Sequence, residues 1–414
     1  MRVAIFYTPC DPKWGGGYTY QDDIFQSLLE VAESSPHTFV VFSGSKAIAE
    51  QQTAVGNLEF VFLQTTYLGK ALGASRQLLR LIRRKLRHPF SPFDLRTAYK
   101  NYWLNRVKHH AIDVFWSLGP GQLVLDIPYI ATVWDLQHRL QPFFPEVSAA
   151  EQWQQRESAY ATVLRRAAYV IVGTAAGKQE VVRFYGIPAE RVRVLPHPTP
   201  RFALNGHSAD PTAVLNRYDL KADFLFYPAQ FWPHKNHASL LRAARLLRER
   251  YDILLDLVFV GSDKGNLQYI RTLTAKLKLS DRVHFLGFVP SGDLVALYKS
   301  AFALTYASYF GPDNLPPLEA FALACPVIAS RVSGAEEQLG DAALLFDPRN
   351  PEQLADAIRM LHGNPDLRAE LVRRGRERAL RFTGKDYVQG VFGLLDEFEP
   401  FRSCWRNTGP YHQL

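Results

Sequence analysis

The chain has 414 residues, of which 47% are hydrophobic and 13% aromatic, and its formal net charge is +8. This length and composition exclude an intrinsically disordered protein and predict two domains, each with its own hydrophobic core. The excess of basic residues favours anionic partners, which include phosphorylated ligands, nucleic acid and acidic membrane surfaces, and does not choose among them.

The cysteines and the N-terminus indicate the compartment. Cys10, Cys325 and Cys404 are far apart and show no metal-ligand or redox spacing, so we expect a reducing cytoplasm. Pro9 and Asp11 interrupt the N-terminal apolar run, which we interpret as a first strand rather than a signal peptide. No stretch approaches the roughly 18 to 20 apolar residues that a membrane span requires.

The first half of the chain alternates strand-like and helix-like segments, which predicts a doubly wound α/β domain over residues 1–200. Helices are predicted at residues 18–32 and 149–167. Strands are predicted at residues 2–7, 38–42, 58–63, 114–117, 129–133, 169–172 and 192–195.

Residues 196–222 interrupt this alternation with several prolines and an Asn-Gly pair, which predicts a linker or hinge. The alternation then resumes and predicts a second doubly wound domain over residues 201–394. Its strands are predicted at residues 224–227, 256–260, 283–286, 302–306 and 327–329. Its helices are predicted at residues 238–251, 267–277, 291–300, 351–362 and 365–381, with others starting near residues 316 and 386.

Residues 305–330, TYASYFGPDNLPPLEAFALACPVIAS, predict a strand, a loop, a helix from Pro316 and a second strand after Pro326. Such a loop directs the amides of a helix N-terminus near Leu315 into a crevice, which suits a phosphate. We expect Glu319 in the first turn of this helix, where its carboxylate would accept hydrogen bonds from sugar or ribose hydroxyls. The alternative is that Glu319 only complements the helix dipole, which is worth ~0.3 to 1 kcal/mol.

The run NLPPLEAFALACPVIAS resembles the signature of retaining glycosyltransferase family 4, which is a glutamate, Gly-Phe-Gly and then Leu-Pro-x-x-Glu-Ala. The resemblance implies the GT-B fold, in which two Rossmann-like domains face each other across a cleft and a last helix, here about residues 395–414, packs back on the first domain. It also implies that Glu319 binds the ribose of a nucleotide sugar, and that loop amides around Asn314 and Leu315 bind the diphosphate and sugar. Gly311 stands where the family has its first glutamate, so Asn314 and Asp313 are the candidates to replace its sugar contacts.

Two segments of the first domain match the family in part. Gly16 and Gly17 resemble its Gly-Gly loop, which contacts the donor diphosphate or the acceptor. The family commonly has His-Asp after a later strand, and here Trp134 precedes Asp135. His138 is the nearest substitute for that catalytic histidine, and Trp134 is expected to stack on a sugar ring of the acceptor. Taken alone, such a pair as Asp135 and His138 is more often a surface pair or a satisfied hydrogen bond.

The donor site is expected in the second domain. Lys235 matches the family's lysine on the diphosphate, where it acts as a point charge, but Gln230 replaces the accompanying arginine. His234 or an arginine from elsewhere would have to compensate. Ser262 and Val289 resemble family positions that line the nucleotide pocket.

The resemblance therefore implies a retaining enzyme that transfers a sugar from a nucleoside diphosphate sugar to a hydroxyl of a glycan or lipid-linked acceptor. Mannosyl or rhamnosyl transfer in cell-envelope polysaccharide or O-antigen assembly is the expected context, with no metal and no other cofactor. Because the first glutamate and the arginine are missing, a catalytically weakened sugar-binding or scaffold protein on the same fold is the alternative. Charge alone suggests nucleic-acid binding, but no recognised module supports it, so we predict no nucleic-acid partner.

Residues 75–88, SRQLLRLIRRKLRH, predict a basic amphipathic helix. Its arginines share one sector, and these are Arg76, Arg80, Arg83, Arg84 and Arg87. Either this sector is an ordinary solvated face, or it meets anionic lipid or a lipid-diphosphate acceptor at the inner face of the plasma membrane. The second interpretation predicts a cytoplasmic enzyme that binds the membrane peripherally.

Overall fold

Two parallel sheets organise the chain. The computed structural model describes residues 1–9, 15–46, 48, 56–63, 109–120 and 127–405. The first sheet has seven strands and the second has six, and helices cover them, so the predicted pair of doubly wound α/β domains is confirmed.

The first sheet lies at residues 2–194. Its strands are β1 (Arg2–Phe6), β2 (Thr38–Ser43), β3 (Leu58–Phe62), β4 (Val114–Trp116), β5 (Tyr129–Val133), β6 (Tyr169–Val172) and β7 (Val192–Val194). They lie in the order β3-β2-β1-β4-β5-β6-β7, and all neighbours are parallel. Because helices cover both faces, the central strands are continuous apolar runs.

The described helices of this domain are α1 (Gly16–Val31), α2 (Gln137–Leu140), α3 (Pro145–Ser148), α4 (Gln152–Arg166) and α5 (Ala175–Tyr185). The helix predicted at residues 149–167 begins later than expected. Ala150 and Glu151 have positive φ angles of 52° and 64°, so the chain turns there and α4 starts only at Gln152. The turn separates α3 from α4; the two helices remain in contact, and α4 packs against β5.

The segment predicted as a linker runs between the two sheets and contains two short helices that were not predicted, α6 (Arg201–Asn205) and α7 (Pro211–Arg217). The residues that suggested a break mark helix ends instead. Asp210 caps α7 through its side chain and Pro211 occupies the first turn, where its missing N–H is tolerated. Gly206 ends α6 in the left-handed conformation.

The second sheet lies at residues 224–346. Its strands are β8 (Phe224–Pro228), β9 (Leu257–Val260), β10 (Val283–Gly287), β11 (Ala301–Tyr306), β12 (Val327–Ser330) and β13 (Ala343–Phe346). The order is β10-β9-β8-β11-β12-β13. The edge strand β13 was not predicted from the sequence.

Helices of the second domain pack on both faces of this sheet. They are α8 (His237–Tyr251), α9 (Leu267–Lys276), α10 (Ser291–Ser300), α11 (Leu315–Ala322), α12 (Ala335–Leu339), α13 (Pro351–His362) and α14 (Pro365–Ala379). The strand, loop, helix and strand that were predicted at residues 305–330 are present as β11, the following loop, α11 and β12. Its helix begins at Leu315, so Glu319 is the fifth residue and lies beyond the first turn, contrary to expectation.

The last described helix, α15 (Gly384–Ser403), returns to the first domain and packs against α1. Tyr387, Val391 and Leu395 are buried in the core of the first domain, so the return begins well before residue 395. Near its end, Arg402 forms a buried ion pair of 3.3 Å with Asp113, which precedes β4. This helix therefore links the two domains by a second route, after the segment at residues 196–222.

Two predictions concern the membrane: the basic segment at residues 75–88 and the absence of a membrane span. The basic segment at residues 75–88, with its five arginines, lies outside the described residues. Within the ranges that are described, no helix is both long and apolar enough to cross a membrane.

We expect Leu395→Ala to destabilise the first domain by ~2 to 5 kcal/mol, because Leu395 is fully buried between α15 and the first sheet. Leu380→Ala is the matched control, since that side chain is 68% exposed, and it should change stability by less than ~0.5 kcal/mol. Urea-induced unfolding measures both. Equal midpoints for the two variants would contradict the docking of α15 on the first core.

Candidate functional site

A cleft of about 970 Å³ opens between the carboxyl ends of the two sheets. The first domain contributes the glycine loop before α1 and the segment after β5. The second domain contributes the loops after β8, β9, β10 and β11. Ligands of doubly wound sheets bind at this edge, so the cleft is the candidate site.

The glycine loop forms one wall. Gly16 begins α1, and a side chain there would contact Leu315 of the opposite domain at 3.6 Å. A side chain at Gly17 would meet the Trp134 indole at 3.2 Å, so the small residue lets Trp134 pack over the loop. Within the described ranges, no side chain caps the N-terminus of α1, so the positive end of its dipole lies at the cleft.

Opposite this wall, a chain of hydrogen bonds runs from Lys235 to the start of α11. The Lys235 ammonium donates to the Tyr306 hydroxyl at 2.7 Å, and that hydroxyl donates to Asn314 Oδ1 at 2.9 Å. Asn314 Nδ2 donates to the carbonyl of Gly311 at 2.6 Å. Gly311 has φ of 121°, and a Cβ at this position would collide with the Asn314 side chain, so the loop requires glycine where the family pattern has glutamate.

Asn314 precedes Leu315 at the start of α11 without capping it through its side chain. The helix therefore presents a positive end to the cleft, as α1 does from the other domain. Lys235 adds a full charge to the same region. This combination suits an anion such as a diphosphate.

Glu319 lines the cleft and is buried. The Tyr298 hydroxyl donates to its Oε2 at 2.7 Å. Burial raises the pKa of Glu319 to about 7; the hydrogen bond from Tyr298 opposes this increase and the charge of Asp23, on α1, adds to it. The interaction of a side chain with the helix dipole weakens beyond the first turn, so this interaction does not explain a glutamate at position 319. The position of Glu319 in the cleft favours the other interpretation, which is ligand binding.

Three further residues predicted for the donor site lie on the second-domain wall. Gln230 Nε2 donates to the Ser262 hydroxyl at 3.2 Å, and Gln230 Oε1 accepts from the Trp232 indole at 3.1 Å. Val289 is buried and lines the cleft beyond β10. The structure thus brings Gln230, Ser262 and Val289 into one cleft with Lys235 and Glu319.

On the first-domain wall, Asp135 is paired with a cation that the sequence analysis did not identify. Arg156 of α4 donates to Asp135 Oδ1 at 2.7 Å, and both residues line the cleft. Arg156 thus places a guanidinium on the first-domain wall of the cleft, whereas the second-domain wall has Gln230 where the family pattern has an arginine. One arginine among several in a polar helix carries no distinguishing signal, so the pattern could not single it out.

The structure corrects the assignment of His138 as a catalytic residue. Its side chain is fully buried and absent from the cleft, and its Nε2 lies 3.1 Å from the Tyr185 hydroxyl and 3.3 Å from Glu157. Because α2 begins directly after Leu136, the chain turns and directs His138 towards α4 and α5. Burial and the nearby Arg156 lower the pKa of His138, so its imidazole is neutral at pH 7.

Asp313 also differs from expectation, since its carboxylate is occupied by protein groups. It accepts from the His197 backbone N–H at 2.8 Å and from the Gln338 amide. Burial raises its pKa to about 8. Asp313 thus anchors the loop to the first domain and offers no free carboxylate to a sugar.

A second contact between the domains, Glu146 with His234, was not predicted. Glu146 of α3 accepts from the backbone N–H of His234 at 2.9 Å and also from its imidazole Nδ1. The His234 ring stacks on Phe310 with centroids 3.9 Å apart. Both members of the pair line the cleft beside Lys235.

Two family models match this chain, one over each domain. The model for Glycosyltransferase Family 4 matches residues 37–200, and the model for Glycosyl transferases group 1 matches residues 216–378.

Among curated proteins, the D-inositol 3-phosphate glycosyltransferase of Pseudarthrobacter chlorophenolicus is 26% identical over 75% of this chain and 72% of its own length. The O-antigen chain mannosyltransferase B of Escherichia coli is also 26% identical, over 58% of this chain and 63% of its own length.

Solved structures agree in fold. The sucrose-phosphate synthase of Thermosynechococcus elongatus superposes with a TM-score of 0.70 at 18% identity, covering 96% of this chain and 99% of that one. Anabaena HepE in complex with UDP-glucose gives 0.66 at 16% identity, covering 96% and 100%. At such identities the likeness shows the shared fold alone.

If Glu319 accepts hydrogen bonds from a ribose, nucleoside diphosphate binding should strengthen as the pH rises to about 7 and then level off. The reason is that the raised pKa leaves the carboxyl protonated at lower pH, and only the ionised form accepts from two hydroxyls. Below pH 7 the affinity should fall ~10-fold per pH unit. Titration calorimetry with UDP and GDP from pH 5.5 to 8.5 measures this dependence.

Glu319→Gln is the matched control, because titration of the diphosphate itself affects both proteins equally. The variant should fold normally and bind ~10- to 100-fold more weakly at pH 8, a loss of ~1.5 to 3 kcal/mol. The pH dependence due to residue 319 should vanish. If the affinity for nucleoside diphosphates depends on pH in the same way in wild type and in Glu319→Gln, Glu319 does not bind the ribose and its role is structural.

Proposed function

The chain belongs to glycosyltransferase family 4, and from this premise we propose that it is a retaining enzyme that transfers a sugar from a nucleoside diphosphate sugar to a hydroxyl acceptor. The observation that carries the proposal is the Lys235–Tyr306–Asn314 hydrogen-bond chain, which holds a cation beside two helix N-termini in the cleft. This arrangement suits a diphosphate better than any neutral ligand. The structural neighbour HepE, which was solved in complex with UDP-glucose, supports a sugar nucleotide as the donor class.

In the proposed complex, the second domain holds the nucleotide. Glu319 accepts from the ribose hydroxyls, and the pocket near Ser262 and Val289 receives the base. The diphosphate lies at Lys235 and the start of α11. Asp135 and Trp134 of the first domain then face the transferred sugar and the acceptor.

The proposed reaction breaks the bond between the sugar C1 and the β-phosphate oxygen and forms a bond from C1 to the acceptor oxygen. The acceptor hydroxyl proton passes to the departing phosphate oxygen on the same face of the sugar, so the configuration at C1 is retained without a protein nucleophile. Negative charge grows on the diphosphate as the bond breaks. Lys235 and the positive end of α11 stabilise that charge, and this is where the catalysis concentrates. The proposal requires no metal ion and no other cofactor.

The acceptor is the second part of the proposal. Curated relatives include two O-antigen chain mannosyltransferases, one from Escherichia coli and one from Salmonella typhimurium. They support mannose as the transferred sugar and an O-antigen glycan as the acceptor. Our proposal also includes rhamnose as the sugar and a lipid-linked acceptor in envelope polysaccharide assembly. The competing possibility, a sugar-binding scaffold, is favoured by Gly311 and Gln230, which replace a glutamate and an arginine of the family pattern.

A panel of sugar nucleotides tests the proposal and separates the two possibilities. We expect UDP-glucose, GDP-mannose or dTDP-rhamnose to raise the melting temperature, since a ligand at a hundred times its Kd stabilises the fold by ~2.7 kcal/mol. The stabilising donor should also be hydrolysed slowly without acceptor, which a scaffold would not do.

Lys235→Ala should lower kcat more than it raises KM, because the diphosphate carries more charge in the transition state than in the ground state. A change in KM alone would assign leaving-group stabilisation to another residue.

We also propose that the basic segment at residues 75–88 holds the enzyme at an anionic membrane surface on the cytoplasmic side. Each arginine near such a surface is worth ~1 kcal/mol, so five suffice for reversible binding. Replacing Arg76, Arg80, Arg83 and Arg87 by Gln should abolish co-sedimentation with phosphatidylserine vesicles at low salt, while donor hydrolysis in solution continues. Equal sedimentation of both proteins, or none by either, would make the segment an ordinary solvated face.

A further inference from the structure

Among the residues that the structure describes, one carboxylate of the cleft has a buried oxygen without a partner. Six described carboxylates line the cleft, and they are Asp22, Asp23, Asp135, Glu146, Asp313 and Glu319. In the part of the chain that the structure describes, only Glu146 among these six has an orphaned buried oxygen, Oε2. Its other oxygen, Oε1, accepts both hydrogen bonds from His234.

The Glu146 carboxylate is ionised and buried, since only 7% of its side chain is exposed. Burial by itself raises the pKa of Glu146, but the hydrogen bonds from His234 and from the backbone N–H of Glu146 more than offset this and hold the pKa below its usual value. An ionised oxygen that is removed from water without a donor costs free energy. A ligand hydroxyl that donates to Oε2 would remove that cost.

The His234 side of the pair is fixed. Burial lowers the pKa of His234 to about 4, despite the opposing effect of Glu146, so the ring is neutral at pH 7. A neutral ring can donate to a carboxylate only through a protonated Nδ1, which determines the tautomer. The ring is also stacked on Phe310, which fixes its orientation. The backbone N–H and the Nδ1–H of His234 therefore both stay directed at Glu146 Oε1.

The position of the pair indicates which part of a ligand it meets. The charges of Lys235, Glu146 and Asp135 all act on the His234 ring, which places these groups in one corner of the cleft. With the nucleoside in the second domain and the diphosphate at Lys235, the group beyond the diphosphate faces the first-domain wall. Glu146 belongs to that wall, on α3.

We propose that Glu146 determines donor specificity by accepting, through Oε2, a hydrogen bond from a hydroxyl of the transferred sugar. The inference rests on the proposed function and adds the residue that recognises the sugar. Because the carboxylate comes from the first domain and is held by His234 of the second, the sugar contact forms only when the domains are together. Recognition of the sugar is thereby coupled to closure of the cleft.

Glu146→Gln tests the proposal without breaking the pair. The glutamine Oε1 still accepts from His234, while an NH2 group that can only donate replaces the Oε2 acceptor. Titration calorimetry compares GDP with GDP-mannose, UDP with UDP-glucose and dTDP with dTDP-rhamnose. We expect the variant to bind each nucleoside diphosphate within about twofold of wild type, and to bind the preferred sugar nucleotide at least ~10-fold more weakly.

Glu180→Gln is the matched control. Glu180 of α5 also has a buried Oε2 without a partner among the described residues. It also joins the domains, because its carboxylate accepts a hydrogen bond of 3.1 Å from the Ser333 hydroxyl, but it does not line the cleft. Its variant should leave both affinities unchanged.

Three outcomes would overturn the inference. An equal loss of affinity for nucleoside diphosphate and sugar nucleotide in Glu146→Gln would make Glu146 only a contact between the domains. Unchanged affinity for both would show that no ligand meets Oε2. If wild type binds none of the nucleoside diphosphates, the proposed function itself fails, and the inference fails with it.

Discussion

The structure of the cleft depends on how the loop between β11 and α11 is held. Within this loop, Gly311 has φ of 121° and must be glycine, because a Cβ there would be strained and would collide with the Asn314 side chain. Asp313 crosses to the first domain, where its carboxyl packs directly against Gly173 at the end of β6, so a side chain at Gly173 would exclude it. The loop is thus fixed from both domains, and it positions the Lys235–Tyr306–Asn314 chain on one side and the Phe310–His234–Glu146 contact on the other.

Burial also controls the charge of the cleft. It raises the pKa of Asp23 to about 7, with the charge of Asp22 adding and the Arg201 backbone N–H opposing, and it raises those of Glu319 and Asp313 to about 7 and 8. Near neutral pH these carboxyls are therefore partly or largely protonated. A diphosphate entering the cleft meets less negative charge than the number of acidic residues suggests, while Lys235 and Arg156 supply positive charge.

The two departures from the family pattern have a common physical consequence. Where the pattern has a glutamate and an arginine on the second domain, this chain has Gly311 and Gln230, and the first domain brings Glu146 and Arg156 to the cleft. In the family pattern the glutamate and the arginine both lie on the second-domain wall of the cleft. In this chain a glutamate and an arginine lie on the first-domain wall, while Lys235 and Glu319 lie on the second-domain wall. In the proposed complex, ligand recognition therefore depends on the approach of the two domains, which α15 and the segment at residues 196–222 connect.

Local sequence patterns were sufficient for the two sheets and for most helices. Buried parallel strands are short apolar runs, and Pro316, Pro317 and Pro326 mark where α11 can begin and must have ended, so the β11-α11-β12 unit was predictable. Other elements were not, and those that were missed or misinterpreted are β13, α2, α3, α5, α6, α7 and α12. All of these except α5 have at most seven residues, which is too few to show a clear periodicity.

The sequence by itself determined which residues follow each strand, and this placed Gly16, Gly17, Lys235 and Glu319 at the edge where ligands bind. Only the tertiary structure decided which of these side chains face the cleft and what meets them there. The start of a short helix at Gln137 directs His138 into the core, and Arg156 and Glu146 lie in one cleft with Lys235 only because the two domains face each other. The physical reason is that strand and helix signals act over a few neighbouring residues, whereas the direction of a side chain and its partners depend on contacts between segments a hundred or more residues apart.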